Sequence, residues 1–288
     1  MSYNRFSGYR GFVALIAALL LLSACGGRES TGNSTRSLIP YYEVISLGDG
    51  QVYANAYIRS SRSALASGEV IELVRNEQLR LLAGGMTELD EEDLFASLAE
   101  WEATTPRFDR TREPREPRPQ GIVESGFSSD PPSDAPLDDY YFTRLESDER
   151  QYHVGFFRQG RESALNSSVA LPEPFDIQAP DDEDLYSVSN DYLELQWSPS
   201  NDPATLRVEI TTECPDGDEQ TLYSETLGSD PGSYSFPPGS LTLPEEAPVY
   251  CEAELAIIKY RTERVDARFH RGLITGYQIR TRTIELME

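Results

Sequence analysis

The chain is predicted to be all-β, two β-sandwiches in series, and three features of its sequence point there. Short runs of alternating apolar and polar residues recur, separated by clusters of Gly, Pro, Asp and Asn, the pattern of sandwiches and barrels. No long apolar stripe at helical spacing competes with them. Leu171–Ser187, with Pro172, Pro174, Pro180 and the acid run Asp181 to Asp184, divides the runs into two groups.

The first element is not part of either sandwich. Arg5 and Arg10 precede a wholly apolar run, Phe12 to Leu22, which ends on the small residues Ser23 and Ala24. That is the layout of a secretory signal, and the run is shorter than the roughly 20 residues that cross a bilayer. Leu22-Ser23-Ala24-Cys25 resembles the lipobox of bacterial lipoproteins. The resemblance implies cleavage before Cys25, acylation of that cysteine with palmitate-type chains, and a mature chain held to a membrane through its lipid. More than one acyl chain is needed for stable anchoring. Gly26 follows the cysteine where an Asp would imply retention at the inner membrane, so the outer membrane is the expected location. Residues 25–39, rich in Gly, Ser, Thr and Asn, read as a flexible tether with a reach of about 20 Å.

Cleavage leaves 264 residues, enough for two ordinary domains. The formal charge is −24, becoming −26 once Arg5 and Arg10 are removed. Such a chain repels phosphate backbones, so no nucleic-acid partner is expected.

The first sandwich is assigned to residues 40–180. Strands are expected at Tyr41–Leu47, Val52–Ser60, Val70–Val74, Gln78–Leu82, Tyr140–Leu145, Tyr152–Arg158 and Ser168–Ile177, with Arg75–Glu77 turning the third into the fourth. Seven short strands suit an immunoglobulin-like sandwich. An insertion, 87–139, interrupts them. Its first part, Thr87–Ala103, is expected to be one short helix, with Thr87 as N-cap and Leu94, Leu98 and Trp101 on one stripe. Its second part, Pro106–Asp139, contains Arg-Glu-Pro repeats and is read as an exposed polyproline-type excursion. It is either a strap that docks a partner or a tolerated insertion. The acid run Asp181–Asp184 lacks the alternate spacing of a calcium loop and reads as linker.

The second sandwich, 181–288, carries the clearest alternation. Leu193, Leu195 and Trp197 share one face of Tyr192–Pro199. Leu206, Val208 and Ile210 share one face of Thr205–Cys214, with Cys214 in phase. Cys251, Ala253, Leu255 and Ile257 share one face of Val249–Ile258, and Leu273–Leu286 is the last strand. "LELQWSP" is similar to the second strand, with its core Trp, of a fibronectin type III domain, and "LPEEAPVYCEAEL" to the Leu-Pro corner leading into the sixth strand. Tyr250, out of phase, departs from the pattern, because Cys251 stands where an inward Tyr is expected.

Cys214 and Cys251 are the only cysteines besides Cys25. Export to an oxidising compartment makes a disulfide between them the default; metal binding, the alternative, lacks a neighbouring His or third Cys. The fibronectin resemblance implies that the third and sixth strands are antiparallel neighbours, which would bring both cysteines to one end and one face.

No catalytic, cofactor-binding or metal-binding set is expected. There is no G-x-S-x-G elbow, no glycine-rich phosphate loop and no H-E-x-x-H spacing. His153 and His270 lie in different halves, and His153 reads as a packed or strand-surface residue. One feature stands out. Lys259, Arg261, Arg264, Arg268, Arg271, Arg280 and Arg282 face only Glu263 and Asp266, a local charge of +5, and Lys259 is the only lysine in the chain. Arg280 and Arg282, opposite in phase to Tyr277 and Ile279, are expected to point to solvent. The run is either a hairpin balanced by the molecule's own acids or a docking patch for an acidic protein or a lipid phosphate, which arginine forks suit. The reading is a lipid-anchored cell-envelope protein, resembling envelope lipoproteins, that acts as a non-catalytic binding or assembly module. The alternative is a purely structural envelope lipoprotein.

Overall fold

In a computed structural model, the described residues are 34–60, 71–74, 77–84, 106–111, 140–199, 201–214, 220–244 and 250–288. The signal segment, Cys25, and the expected helix at Thr87–Ala103 lie outside them. Among the described residues no helix is long and apolar enough to cross a membrane.

The chain is all-β. After a 3-10 turn at Thr35–Ser37 come β1 (Leu38–Ser46), β2 (Gln51–Ser60), β3 (Glu77–Ala83), β4 (Asp109–Thr111), β5 (Tyr140–Glu146), β6 (Gln151–Arg158) and β7 (Ala164–Ala170). Then follow β8 (Asp176–Ala179), β9 (Leu185–Ser187), β10 (Leu193–Ser198), β11 (Thr205–Glu213), β12 (Gln220–Leu227), β13 (Ser233–Phe236), β14 (Cys251–Arg264) and β15 (Leu273–Met287). One nine-stranded sheet runs β12-β11-β14-β15-β1-β2-β5-β4, with β9 pairing the end of β15. Two three-stranded sheets, β3-β6-β7 and β13-β10-β8, complete the architecture.

Both small sheets cover the same face of the large one, because even-numbered residues of β15 enter both cores. Ile274 joins Tyr42, Val44, Ala54, Leu81, Val154 and Phe156 in the first core. Ile284 and Leu286 join Leu195, Trp197, Val208, Ile210, Leu255 and Ile257 in the second. Odd-numbered residues face the other way, where Ile45, Ala256, Ile258, Tyr277 and Ile279 form a third buried cluster.

The long hairpin β14–β15 therefore belongs to both halves. Its far end, Cys251 opposite Leu286, lies in the second sandwich; its near end pairs in parallel with β1, Tyr41 opposite Leu273 through Ser46 opposite Gln278. The division expected at residues 180/181 is thus crossed by the sheet itself. At the tip, Asn166 N donates to Asp266 Oδ2 at 2.8 Å and Asp266 N donates to Ser167 Oγ at 3.0 Å, which ties the hairpin to β7. Gly272 makes the close approach possible: its φ is +137°, and a Cβ there would stand 2.4 Å from the Pro40 carbonyl oxygen.

The second half follows the fibronectin-like expectation. Counting β8 and β10–β15 as seven strands, the second carries the core Trp197, and the third, β11, pairs antiparallel with the sixth, β14. Glu213 opposes Glu252, so the next residues, Cys214 and Cys251, face each other. They form a disulfide with a Cα–Cα distance of 4.6 Å.

Three expectations need correction. The expected strand Ser168–Ile177 is two strands, β7 and β8 in different sheets, because Pro172 and Pro174 remove ladder donors between them. Ile71–Val74, from the expected strand Val70–Val74, forms no named strand; Tyr141 holds it instead, its hydroxyl donating to Ile71 O and accepting from Leu73 N, both at 2.9 Å. The start of the Pro106–Asp139 excursion is core rather than exposed. Phe108 is buried, its N–H donates to Leu79 O at 3.1 Å, and β4 pairs with β5.

Candidate functional site

Four of the seven cations of the run lie where the two cores meet; Arg264, Arg268 and Arg271 stand at the hairpin tip. Lys259 and Arg261 of β14, with Arg280 and Arg282 of β15, share the face covered by the small sheets, between their two footprints. A chain folding this way must bring its own oxygens to those cations, since burying a charge unpaired costs several kcal/mol.

Asp230 supplies the first oxygen. Lys259 Nζ donates to its Oδ2 at 2.6 Å and to the Pro199 carbonyl at 3.0 Å. The ammonium sits 4.6 Å from the centre of the Phe175 ring, within the range of a cation–π contact. Asp230 Oδ1 accepts from Trp197 Nε1 at 2.6 Å, and Oδ2 also accepts from Asp202 N at 3.1 Å. Both side chains of the Lys259–Asp230 pair are at most 1 % exposed. Asp202 extends the network. Its Oδ1 accepts from Arg261 Nη2 at 2.7 Å and Ala204 N at 2.8 Å, and its Oδ2 from Glu173 N at 2.6 Å. Burial pushes the Asp202 carboxyl up, but the Arg261 guanidinium and the Glu173 and Ala204 amides outweigh it and hold it below the usual range. One network thus joins the connection between the halves (Glu173), the end of β10 (Trp197), the β10–β11 and β12–β13 loops, and the middle of β14.

The expectation that Arg280 and Arg282 point to solvent is corrected. Arg280 Nη1 donates to Ile279 O at 2.7 Å, and its guanidinium lies 5.3 Å from the Phe175 ring centre. Burial lowers its pKa, offset by Asp176 and Asp49. Arg282 reaches Ile177 O at 3.1 Å and Asp182 at 3.4 Å. The phase was read correctly; both faces of the strand are used. Arg268, in the hairpin tip, meets Asp266 at 3.2 Å and Glu162 at 3.8 Å. Four of the six candidate arginines, 261, 268, 280 and 282, are thus met by the chain's own oxygens. Arg264 and Arg271 are exposed and enter no ion pair among the described residues.

A second buried pair, absent from the sequence reading, joins Arg158 Nε of β6 to Glu77 Oε1 of β3 at 2.8 Å. Its signal was available only as charges at the ends of apolar strands. His153, on β6, is half-buried, and burial lowers its pKa, offset by a hydrogen bond with the Gly84 backbone. Among the described residues no group of three or more His, Cys, Asp or Glu is placed to hold a metal ion. A cleft beside Tyr186, Val188, Leu193, Phe236 and Leu286 has a volume of about 10 Å³, the room of one water.

No family model matches the chain, and no curated protein matches it. Among solved structures, a similar chain is that of the chicken CNTN1 FN1-FN3 domains. The identity is 10 %, over 90 % of this chain and 70 % of that one, with a TM-score of 0.23. A superposition of that quality carries no argument; the fold rests on the strand order and register above.

Proposed function

We propose that this chain is a lipid-anchored protein of the cell envelope, acting as a non-catalytic binding or assembly module. One observation carries the reading. A single hairpin, β14–β15, runs through both halves, and the Lys259–Asp230–Asp202–Arg261 network ties the β10–β11 and β12–β13 loops, and through Glu173 the connection between the halves, to it. Fourteen residues of β14 span about 45 Å at 3.2–3.4 Å per residue. Such a body is a stiff spacer. Tethered through Cys25, it would hold the loops at its far end away from the membrane. Tyr192 and Tyr250 lie at that end, 63 % and 53 % exposed, and large exposed aromatic residues are favoured contacts in interfaces.

The test is site-specific photocrosslinking in intact envelopes, with the photoreactive residue at position 192 or 250 of the full chain. One adduct formed from both positions supports a binding module and identifies its partner. No adduct from either, with detergent sensitivity on deletion, favours the purely structural lipoprotein. That second reading draws on a specific observation too, since four of the six arginines offered for docking are engaged internally. Palmitate labelling of the chain and of Cys25→Ser tests the anchor by itself.

A further inference from the structure

The described chain begins at one pole of the molecule, and its anchoring there is specific. Thr35 is buried, and its Oγ1 donates to the Arg268 carbonyl at 2.9 Å, in the tip of the β14–β15 hairpin. The turn between β6 and β7 reaches the same place, since Glu162 Oε2 accepts from Thr35 Oγ1 at 3.4 Å. Eight residues separate Cys25 from Ser34, and nine links of chain extend at most about 30 Å. A lipid on Cys25 therefore confines this pole, and not the one bearing Tyr192 and Tyr250, to the neighbourhood of a bilayer.

Among the described residues, the segments that meet at this pole differ in charge from the rest of the chain. Residues 35–37, 159–163 and 263–272 carry Arg36, Arg161, Arg264, Arg268 and Arg271 against Glu162, Glu263 and Asp266, a net of +2 in a chain of −24. Asp266 is buried, and its carboxylate is occupied by Asn166 N and Arg268. Arg36, Arg264 and Arg271 are exposed and enter no ion pair among the described residues. Guanidinium forks bind phosphate oxygens in pairs, and basic groups within a Debye length of an anionic leaflet are attracted to it.

Resting on the lipid-anchor reading, we propose that this pole is a headgroup-facing surface. Arg36, Arg264 and Arg271 would engage the phosphates of anionic lipids in the leaflet that holds the anchor. The lipid supplies the attachment; the arginines set the orientation, standing the acidic body upright so that its distal loops face away.

The test uses the full mature chain, residues 25–288. Cys25 is its one cysteine outside the disulfide, so its thiol can be coupled to maleimide-phosphatidylethanolamine in vesicles of phosphatidylcholine alone or mixed with phosphatidylglycerol. Amide exchange of residues 263–272 is then compared at about 0.1 M and about 1 M salt. We expect exchange about tenfold slower on the phosphatidylglycerol vesicles at low salt, a difference removed at high salt and in Arg264→Glu/Arg271→Glu. Residues 185–192 at the other pole serve as the unchanged reference. Equal exchange of 263–272 on both lipids would overturn the proposal. A slowing that persists in the double variant would overturn it as well. Because coupling supplies the lipid, the result does not depend on whether cells acylate Cys25.

Discussion

Removing the Asp230 carboxylate strands a cation at the centre of the molecule. In Asp230→Ala, Lys259 keeps only the Pro199 carbonyl and the Phe175 face, while Trp197 Nε1 and Asp202 N each lose their acceptor. Breaking a buried pair from one side costs about 3–5 kcal/mol. Converted at about 2–4 °C per kcal/mol for a chain of this size, the thermal midpoint should fall by roughly 6–20 °C. Lys259→Met is the informative partner. It leaves an aliphatic chain of similar volume against Phe175, and the remaining carboxylate keeps the Trp197 and Asp202 donors. It should therefore cost less, about 1–3 kcal/mol. The assay is urea unfolding followed by circular dichroism for both single variants and the double. The reasoning is refuted if Asp230→Ala loses under about 1 kcal/mol, or if Lys259→Met is the more damaging of the two.

Other contacts in the fold give further outcomes. Reducing Cys214–Cys251 opens a loop with a sequence separation of 37 and should cost about 4 kcal/mol in the chain-entropy description; unchanged urea midpoints with and without reductant would contradict this. Gly272→Ala places a Cβ against a backbone oxygen at a positive φ and should cost about 2–3 kcal/mol, measured by thermal unfolding; a loss below about 0.5 kcal/mol would show that the tip yields freely. Asp202 has a folded-state pKa held below its unfolded value. Its stabilisation is therefore present above about pH 3.9 and is lost as the pH falls through the folded value. Asp202→Asn should flatten that part of the stability profile below about pH 4, and an unaltered profile would remove Asp202 from the network.

Much of the second half was legible because its signals are local. Leu193, Leu195 and Trp197 alternate on a strand covered on one face only, so period-two reading finds both the strand and its inward side. The Cys214–Cys251 pairing follows from the expectation of export and from adjacent antiparallel strands. Elsewhere alternation was misleading. It correctly separated Arg280 and Arg282 from Tyr277 and Ile279, but assigned the first pair to solvent, because it reports which residues share a face and not what covers each face. Both faces of β15 are used. The parallel pairing of β1 with β15 joins residues more than 200 positions apart and leaves no local trace. Nor does the pairing of Lys259 with Asp230. A lone lysine amid arginines marks the site only in retrospect, as a compact cation on a strand otherwise rich in buried apolar residues. The β4 strand was missed because three paired residues and Phe108 sit at the edge of a proline-rich stretch whose composition dominates the reading.

The junction is tested most directly by the reactivity of Lys259, the only lysine side chain in the protein and fully buried in the fold. An amine-reactive ester would be applied to the native chain across a urea series, with the label at residue 259 read by peptide mass. If the two halves form one body closed around the Lys259–Asp230 pair, residue 259 stays unlabelled in native buffer and becomes reactive only along the unfolding transition seen by circular dichroism. Labelling at the rate of a free lysine before that transition would mean that the network opens around Lys259 in the folded chain, and the single stiff spacer would be wrong.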